Sequence, residues 1–201
     1  MRLTILMLAC ISSPVVAQWH LGGKIGVSFS HYESKVTCTE VPKTGLFAGV
    51  TAVRDMGDHL GLGIDLLYIQ KGYYHKVCNT IYDKLDANYV ELPVQLTYRF
   101  VVFKNFQAAF NLGVYSAFWL SGRYRMQGFD ASVEEVSLEA FNRLDFGPGG
   151  GGRIQYILRQ GTMSLDFRYA RGLVDMATNP NDDTKNINRC FTVGVAYMKR
   201  F

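Results

Sequence analysis

The chain has 201 residues with a net charge of +4, 13% aromatic and 19% charged side chains. That length suits one domain of ordinary size, and the spread of its basic residues, without any Lys/Arg cluster, argues against nucleic acid as a partner. Beyond the first residues no run reaches the ~18 apolar residues that a spanning helix needs, so only a barrel would carry this chain through a membrane.

Met1-Arg2 forms a short positive start, Leu3 to Ile11 an apolar stretch, and Val15-Val16-Ala17 a small-residue cleavage site. Residues 1–17 therefore read as a signal peptide, leaving Gln18 at the head of a barrel domain over 18–201. Cys10 follows Met7-Leu8-Ala9 in the manner of a lipid-acceptor cysteine, but the apolar run before it is short for that role.

Eight strands follow in chain order, over residues 19–30, 45–54, 60–72, 87–100, 106–120, 143–157, 162–172 and 188–200. The alternation is cleanest over 88–100, where Val90, Leu92, Val94, Leu96 and Tyr98 oppose Glu91, Gln95, Thr97 and Arg99. Successive strand side chains point to opposite faces, so each strand has one apolar and one polar side. Pro93 interrupts this strand without a ladder donor, and a local bulge is expected there. The connections 55–59, 101–105 and 158–161 are short, whereas 31–44, 73–86, 121–142 and 173–187 are long. This is the pattern of an eight-stranded antiparallel up-and-down transmembrane β-barrel with short periplasmic turns and long extracellular loops.

Side-chain size decides which face points inward. An eight-stranded barrel has an interior barely wide enough for its own side chains. Gly22, Gly26 and Ser28 oppose Ile25, Val27 and Phe29, and Gly147, Gly149 and Gly151 oppose Phe146 and Ile154, so the small, polar face lies inside. Trp19, Tyr68, Tyr98, Phe100, Tyr156, Tyr169, Tyr197 and Phe201 then face outward as interfacial girdles.

Three segments taken together, Asp65-Leu66-Leu67-Tyr68-Ile69-Gln70-Lys71-Gly72, Asn88-Tyr89-Val90-Glu91-Leu92-Pro93 and Asp166-Phe167-Arg168-Tyr169-Ala170-Arg171-Gly172-Leu173-Val174-Asp175, resemble the PorT-like outer-membrane β-barrel family of Bacteroidetes-type bacteria. The resemblance implies a cell outer membrane location and a link to protein-secretion components, with no catalytic residue to carry over. The family ending usually runs Gly-Tyr-Arg-Phe; here Ala196-Tyr197-Met198-Lys199-Arg200-Phe201 keeps the terminal aromatic, Phe201, as the insertion signal for the barrel-assembly machinery.

The inward register collects Lys24, Asp65, Lys71, Glu91, Arg99, Arg143, Asp145, Arg153, Asp166 and Arg168 in the lumen. Such a set reads either as an ion path or as a network of paired charges that fills the interior, and the narrowness of the barrel favours pairing. Cys38 and Cys78 fall in the first two long loops on an oxidising surface, and a disulfide between them is expected, with Cys190 as a competing partner. His31 and His75 lie close to these cysteines, but at irregular spacing for a metal site. His31, His75, Ser121, Asp130 and Ser132 offer loop groups of catalytic type without a linking spacing. No cofactor, metal or catalytic activity is expected.

The function expected from these readings is a small barrel embedded in outer-membrane lipid that acts in interaction or assembly, or as a secretion accessory. Its apolar 121–142 loop, with Phe129, Val133, Val136, Leu138 and Phe141, would make the contacts. The alternatives are a narrow channel and a soluble periplasmic lipid or small-molecule carrier.

Overall fold

A computed structural model describes residues 18–33, 39–76, 82–127, 132–135, 142–176 and 186–201. They form ten antiparallel strands: β1 Trp19–Glu33, β2 Thr39–Val41, β3 Lys43–Asp55, β4 Leu60–Lys76, β5 Tyr82–Phe103, β6 Phe106–Gln127, β7 Ser132–Glu135, β8 Leu144–Leu158, β9 Gly161–Arg171 and β10 Ile187–Arg200. No helix occurs among the described residues. The expected signal segment and the Cys38 and Cys78 loop positions lie outside them.

Eight of these strands close a ring in the order β1, β3, β4, β5, β6, β8, β9, β10 and back to β1. Each pairs with its neighbour in the ring, and the ladder between β1 and β10 closes it, so the ring itself has no edge strand. β2 pairs with β4 above β3, and β7 pairs with β6. Both short strands, like the upper ends of β4, β5 and β6, carry the sheet into segments that the sequence marks as loops. At the other end the connections are tight: Lys104 and Asn105 alone join β5 to β6, and Arg159 and Gln160 join β8 to β9.

The alternation sorts side chains as the size argument requires. Leu21, Ile25, Leu46, Leu66, Leu96, Leu112, Phe146 and Val195 are exposed on the outer wall, while Lys24, Asp65, Glu91, Asp166 and Arg168 are buried inside. An apolar exterior around a filled polar interior is the reverse of a soluble carrier, and it suits a wall facing hydrocarbon. The eight girdle aromatics all lie on this outer face.

Two local features differ from simple alternation. The ladder between β4 and β5 lapses where Leu92 and Pro93 face Asp65 and Leu66, but it resumes in the same register, so the bulge expected at Pro93 is absent. Proline removes a donor there without adding a residue, and register depends on residue count. Bulges occur instead between β5 and β6, one leaving Val102 of β5 unpaired and one on β6, where the pairs Tyr89↔Trp119 and Asn88↔Ser121 leave Leu120 without a partner. One extra residue reverses the parity beyond it. Below Leu120, Tyr115, Ala117 and Trp119 point inward; above it, Ser121, Arg123 and Arg125 are exposed on the outside.

The buried apolar cluster fills the loop end of the lumen and includes Tyr32, Ile69, Leu85, Tyr89, Trp119, Met176 and Cys190. The buried charges occupy the middle. The barrel therefore has an aromatic upper half and an ionic lower half.

Candidate functional site: the lumen and its two mouths

At the turn end, His20 on β1, Asp55 on β3 and Arg99 on β5 converge. The Asp55 carboxylate lies 3.0 Å from His20 Nε2 and 2.7 Å from Arg99 Nη1. Burial works to raise the Asp55 carboxyl, but the hydrogen bond from His20 and the charge of Arg99 outweigh it and hold it below its usual range. These groups border an open mouth of about 520 Å³ that also takes in Gln107, Arg153 and Gln155. His20 and Asp55 were not among the sequence candidates, although the alternation that places Gly22 and Lys24 inside also places His20 there.

One layer up, Lys24 Nζ donates to Asp65 at 2.8 Å and lies 3.9 Å from Asp166. Asp166 also accepts from Arg153 and from Ser164 Oγ, the latter at 2.9 Å. In the next layer Glu91 receives Arg168 from across the lumen and Lys71 at 2.5 Å. The cavity left between these layers, beside Asn111 and Thr192, is only about 10 Å³. That is at or below the space of one water molecule, so the interior is packed through its middle.

Aromatic groups close the loop end. Lys71 Nζ sits 4.8 Å from the Tyr115 ring centre and 5.3 Å from that of Tyr89, which adds cation–π attraction to its ion pair. Tyr89 stacks on Trp119 at 5.9 Å and shares a 2.9 Å hydrogen bond with Tyr32. Tyr115 Oη and Asn188 Nδ2 both donate to Asp145, at 2.9 and 3.0 Å. Cys190 is a buried, free thiol in this layer.

The structure thus brings nine of the ten charged candidates into the lumen or its lower mouth. Arg143 is the correction. It stands exposed just before β8 begins at Leu144, with its guanidinium 4.6 Å over the outward Phe118 ring and donating to the Trp119 carbonyl. Strand parity does not extend past the strand's end, so counting back from Asp145 misplaced it. Among the buried groups, Lys24, Lys71, Arg153 and Arg168 balance Asp65, Glu91, Asp145 and Asp166. A balanced, interleaved set can fill and rigidify the barrel, because each buried charge finds an opposite partner or a hydrogen-bond donor.

Comparison with known proteins adds the family context. The sequence matches the family described as outer membrane protein beta-barrel domain over residues 12–178. The fold resembles the outer membrane protein OprG of Pseudomonas aeruginosa, with a TM-score of 0.58 and 13% identity over 90% of this chain and 95% of that one. Neisserial surface protein A is similar at a TM-score of 0.51 and 13% identity, covering 89% and 96% of the two chains. A major outer membrane protein of Thermus thermophilus gives 0.50 and 16% identity, covering 92% and 99%. No curated protein matches the chain by sequence.

Proposed function

The chain belongs to the outer membrane protein beta-barrel domain family and lies in the outer membrane, and we propose that it acts there as a sealed, membrane-embedded interaction or assembly component. The observation that carries this reading is the packed lumen. Two ionic layers leave only about 10 Å³ between them, and a stacked aromatic layer closes the loop end above. A lumen packed in this way leaves the work to the surfaces the barrel presents.

One such surface is the rim of strand extensions at the loop end, formed by the upper parts of β4, β5 and β6 with β2 and β7. Extended ladders hold their outer faces rigidly, which lowers the ordering cost of binding a partner. The resemblance of three segments to the PorT-like family favours a protein-secretion component as that partner. On this reading the barrel performs no reaction.

The test is electrical and compositional. Purified protein inserted into planar bilayers is expected to stay silent, and native mass spectrometry of the detergent-extracted protein is expected to show a stoichiometric complex with an export component. Stable single-channel steps from the isolated barrel would instead make it a channel and sink the proposal.

A further inference from the structure

The outer wall changes character at one height. Gln70 on β4 is the ladder partner of Asn88 on β5, which is the partner of Ser121 on β6, and this polar row caps the apolar band that ends at Tyr68 and Leu120. Above the row stand Lys43, Lys84, Arg123 and Arg125, the two arginines turned outward by the unpaired Leu120. These cations border a groove of about 540 Å³ in which Asp86 is the one acid among the described residues.

Asp86 is already engaged, at 2.8 Å from Lys43 and 3.4 Å from Lys84. The register sets Glu135 opposite Arg123, whereas the ladder partners of Lys84 are Tyr74 and Arg125, and those of Arg125 are Lys84 and Val133. Two cations directly opposite each other on one face repel, and an anion between them would remove that cost. Arginine adds a planar fork that matches phosphate oxygens.

A second groove, of about 670 Å³, meets the first at Gln70, which lines both, and beyond β4 is walled by β1, β3, β9 and β10. It runs down the lipid-facing wall beside Val27, Leu46, Ala48, Tyr68 and Val193. A cationic groove at headgroup height, continued by an apolar groove at acyl-chain height, matches one amphiphile with an anionic head.

We propose that this face holds a phosphate-bearing lipid of the outer leaflet, with its phosphate between Lys84 and Arg125 and an acyl chain in the groove over Ala48. The experiment uses the whole barrel in vesicles of phosphatidylcholine containing a minor fraction of phosphatidic acid, followed by native mass spectrometry of the lipid retained on extraction. The wild-type protein is expected to retain phosphatidic acid in preference to phosphatidylcholine. The Lys84→Ala/Arg125→Ala protein should lose that retention by about thirtyfold, from two cations near a charged surface. Ala48→Trp, which fills the lower groove and leaves the cations in place, should weaken it as well, and excess inorganic phosphate should not displace the lipid.

The proposal is overturned if the wild type shows no preference for phosphatidic acid, or if the double variant retains it equally. It is also overturned if inorganic phosphate competes fully and Ala48→Trp has no effect, since that would be a site for the free ion. Folding of each variant is checked by its heat-dependent gel mobility. Should Ala48→Trp fail to fold, Lys84→Glu/Arg125→Glu decides the matter, because both side chains stand above the hydrocarbon band.

Discussion

Lys71 on β4 and Glu91 on β5 pair at 2.5 Å with no solvent exposure on either side chain, yet they are not ladder partners. Lys71 lies opposite Ala87, and Glu91 lies opposite Leu67 four residues further down. The ammonium therefore reaches along the barrel axis to a carboxylate that also receives Arg168 from β9, 77 residues away in sequence. This three-member group ties three strands to one another through the interior.

Replacing Glu91 by Leu leaves two cations buried without their acid. The expected cost is about 3–5 kcal/mol, the range for breaking a buried pair by removing one partner. It should appear as a lower thermal midpoint of the folded barrel in detergent. Glu91→Leu combined with Lys71→Met should recover part of the loss, and an unchanged melting curve in the single variant would refute the structural role.

The lumen is also shaped by glycine at positions of close approach. A Cβ on Gly194 would come within 2.5 Å of the Phe47 ring and 2.6 Å of the Ile25 carbonyl oxygen. Gly194→Val should therefore destabilise by about 1–3 kcal/mol through overpacking. Phe47→Leu in the same chain should recover part of this, because the backbone contact with Ile25 persists; denaturant-dependent fluorescence of the folded protein measures both.

The His20–Asp55–Arg99 cluster, at the open turn-end mouth where β3 ends, gives an acid-side dependence. The Asp55 carboxyl is held below its ordinary value of 3.8 in the folded barrel. A depressed carboxyl binds fewer protons folded than unfolded, so its contribution is full above the ordinary value and fades as pH falls through and below it. Thermal midpoints taken from neutral pH down to about pH 3 should fall less steeply for Asp55→Asn than for the wild type. Parallel curves would remove Asp55 from the acid response.

Outward parity predicts a contrast on β6. Leu112 is 72% exposed on the outer wall. Leu112→Arg should cost about 2–4 kcal/mol for a cation near the bilayer midplane, seen as poor folding into vesicles. The more conservative Leu112→Ile should fold normally, and efficient insertion of the arginine variant would mean that this face does not meet lipid.

Cysteine chemistry separates the buried thiol from the loop pair. Cys190 should resist alkylation in the folded barrel and react only on unfolding, because it lies inside the wall. In the mature protein, unfolding without reductant should expose this one thiol and unfolding with reductant all three, counted by mass shift. Three reactive thiols in the absence of reductant would refute a Cys38–Cys78 bridge.

Much of the architecture is legible before any coordinates. The opposition of Glu91, Gln95 and Thr97 to Leu92, Leu96 and Tyr98, repeated in strand after strand, states the eight ring strands and their inner faces, though not the short β2 and β7. Gly22 and Gly26 against Ile25 and Phe29 identify the narrow side as the inside. The short turns were legible from length alone, but the long connections were not read as strand, since polar residues above a membrane need not alternate in hydrophobicity.

Alternation is a local property with a period of two residues, so the sequence by itself determined the strands, their apolar and polar faces and the closed antiparallel barrel. The tertiary structure alone decided which charges meet, because Glu91 and Arg168 become neighbours only when ring closure and strand stagger bring β5 opposite β9. It also decided where parity breaks. The unpaired Leu120 turns Arg123 and Arg125 outward, and the start of β8 at Leu144 releases Arg143 from the lumen. Both depend on how many residues each ladder aligns with its neighbour, a quantity set between strands and not within one.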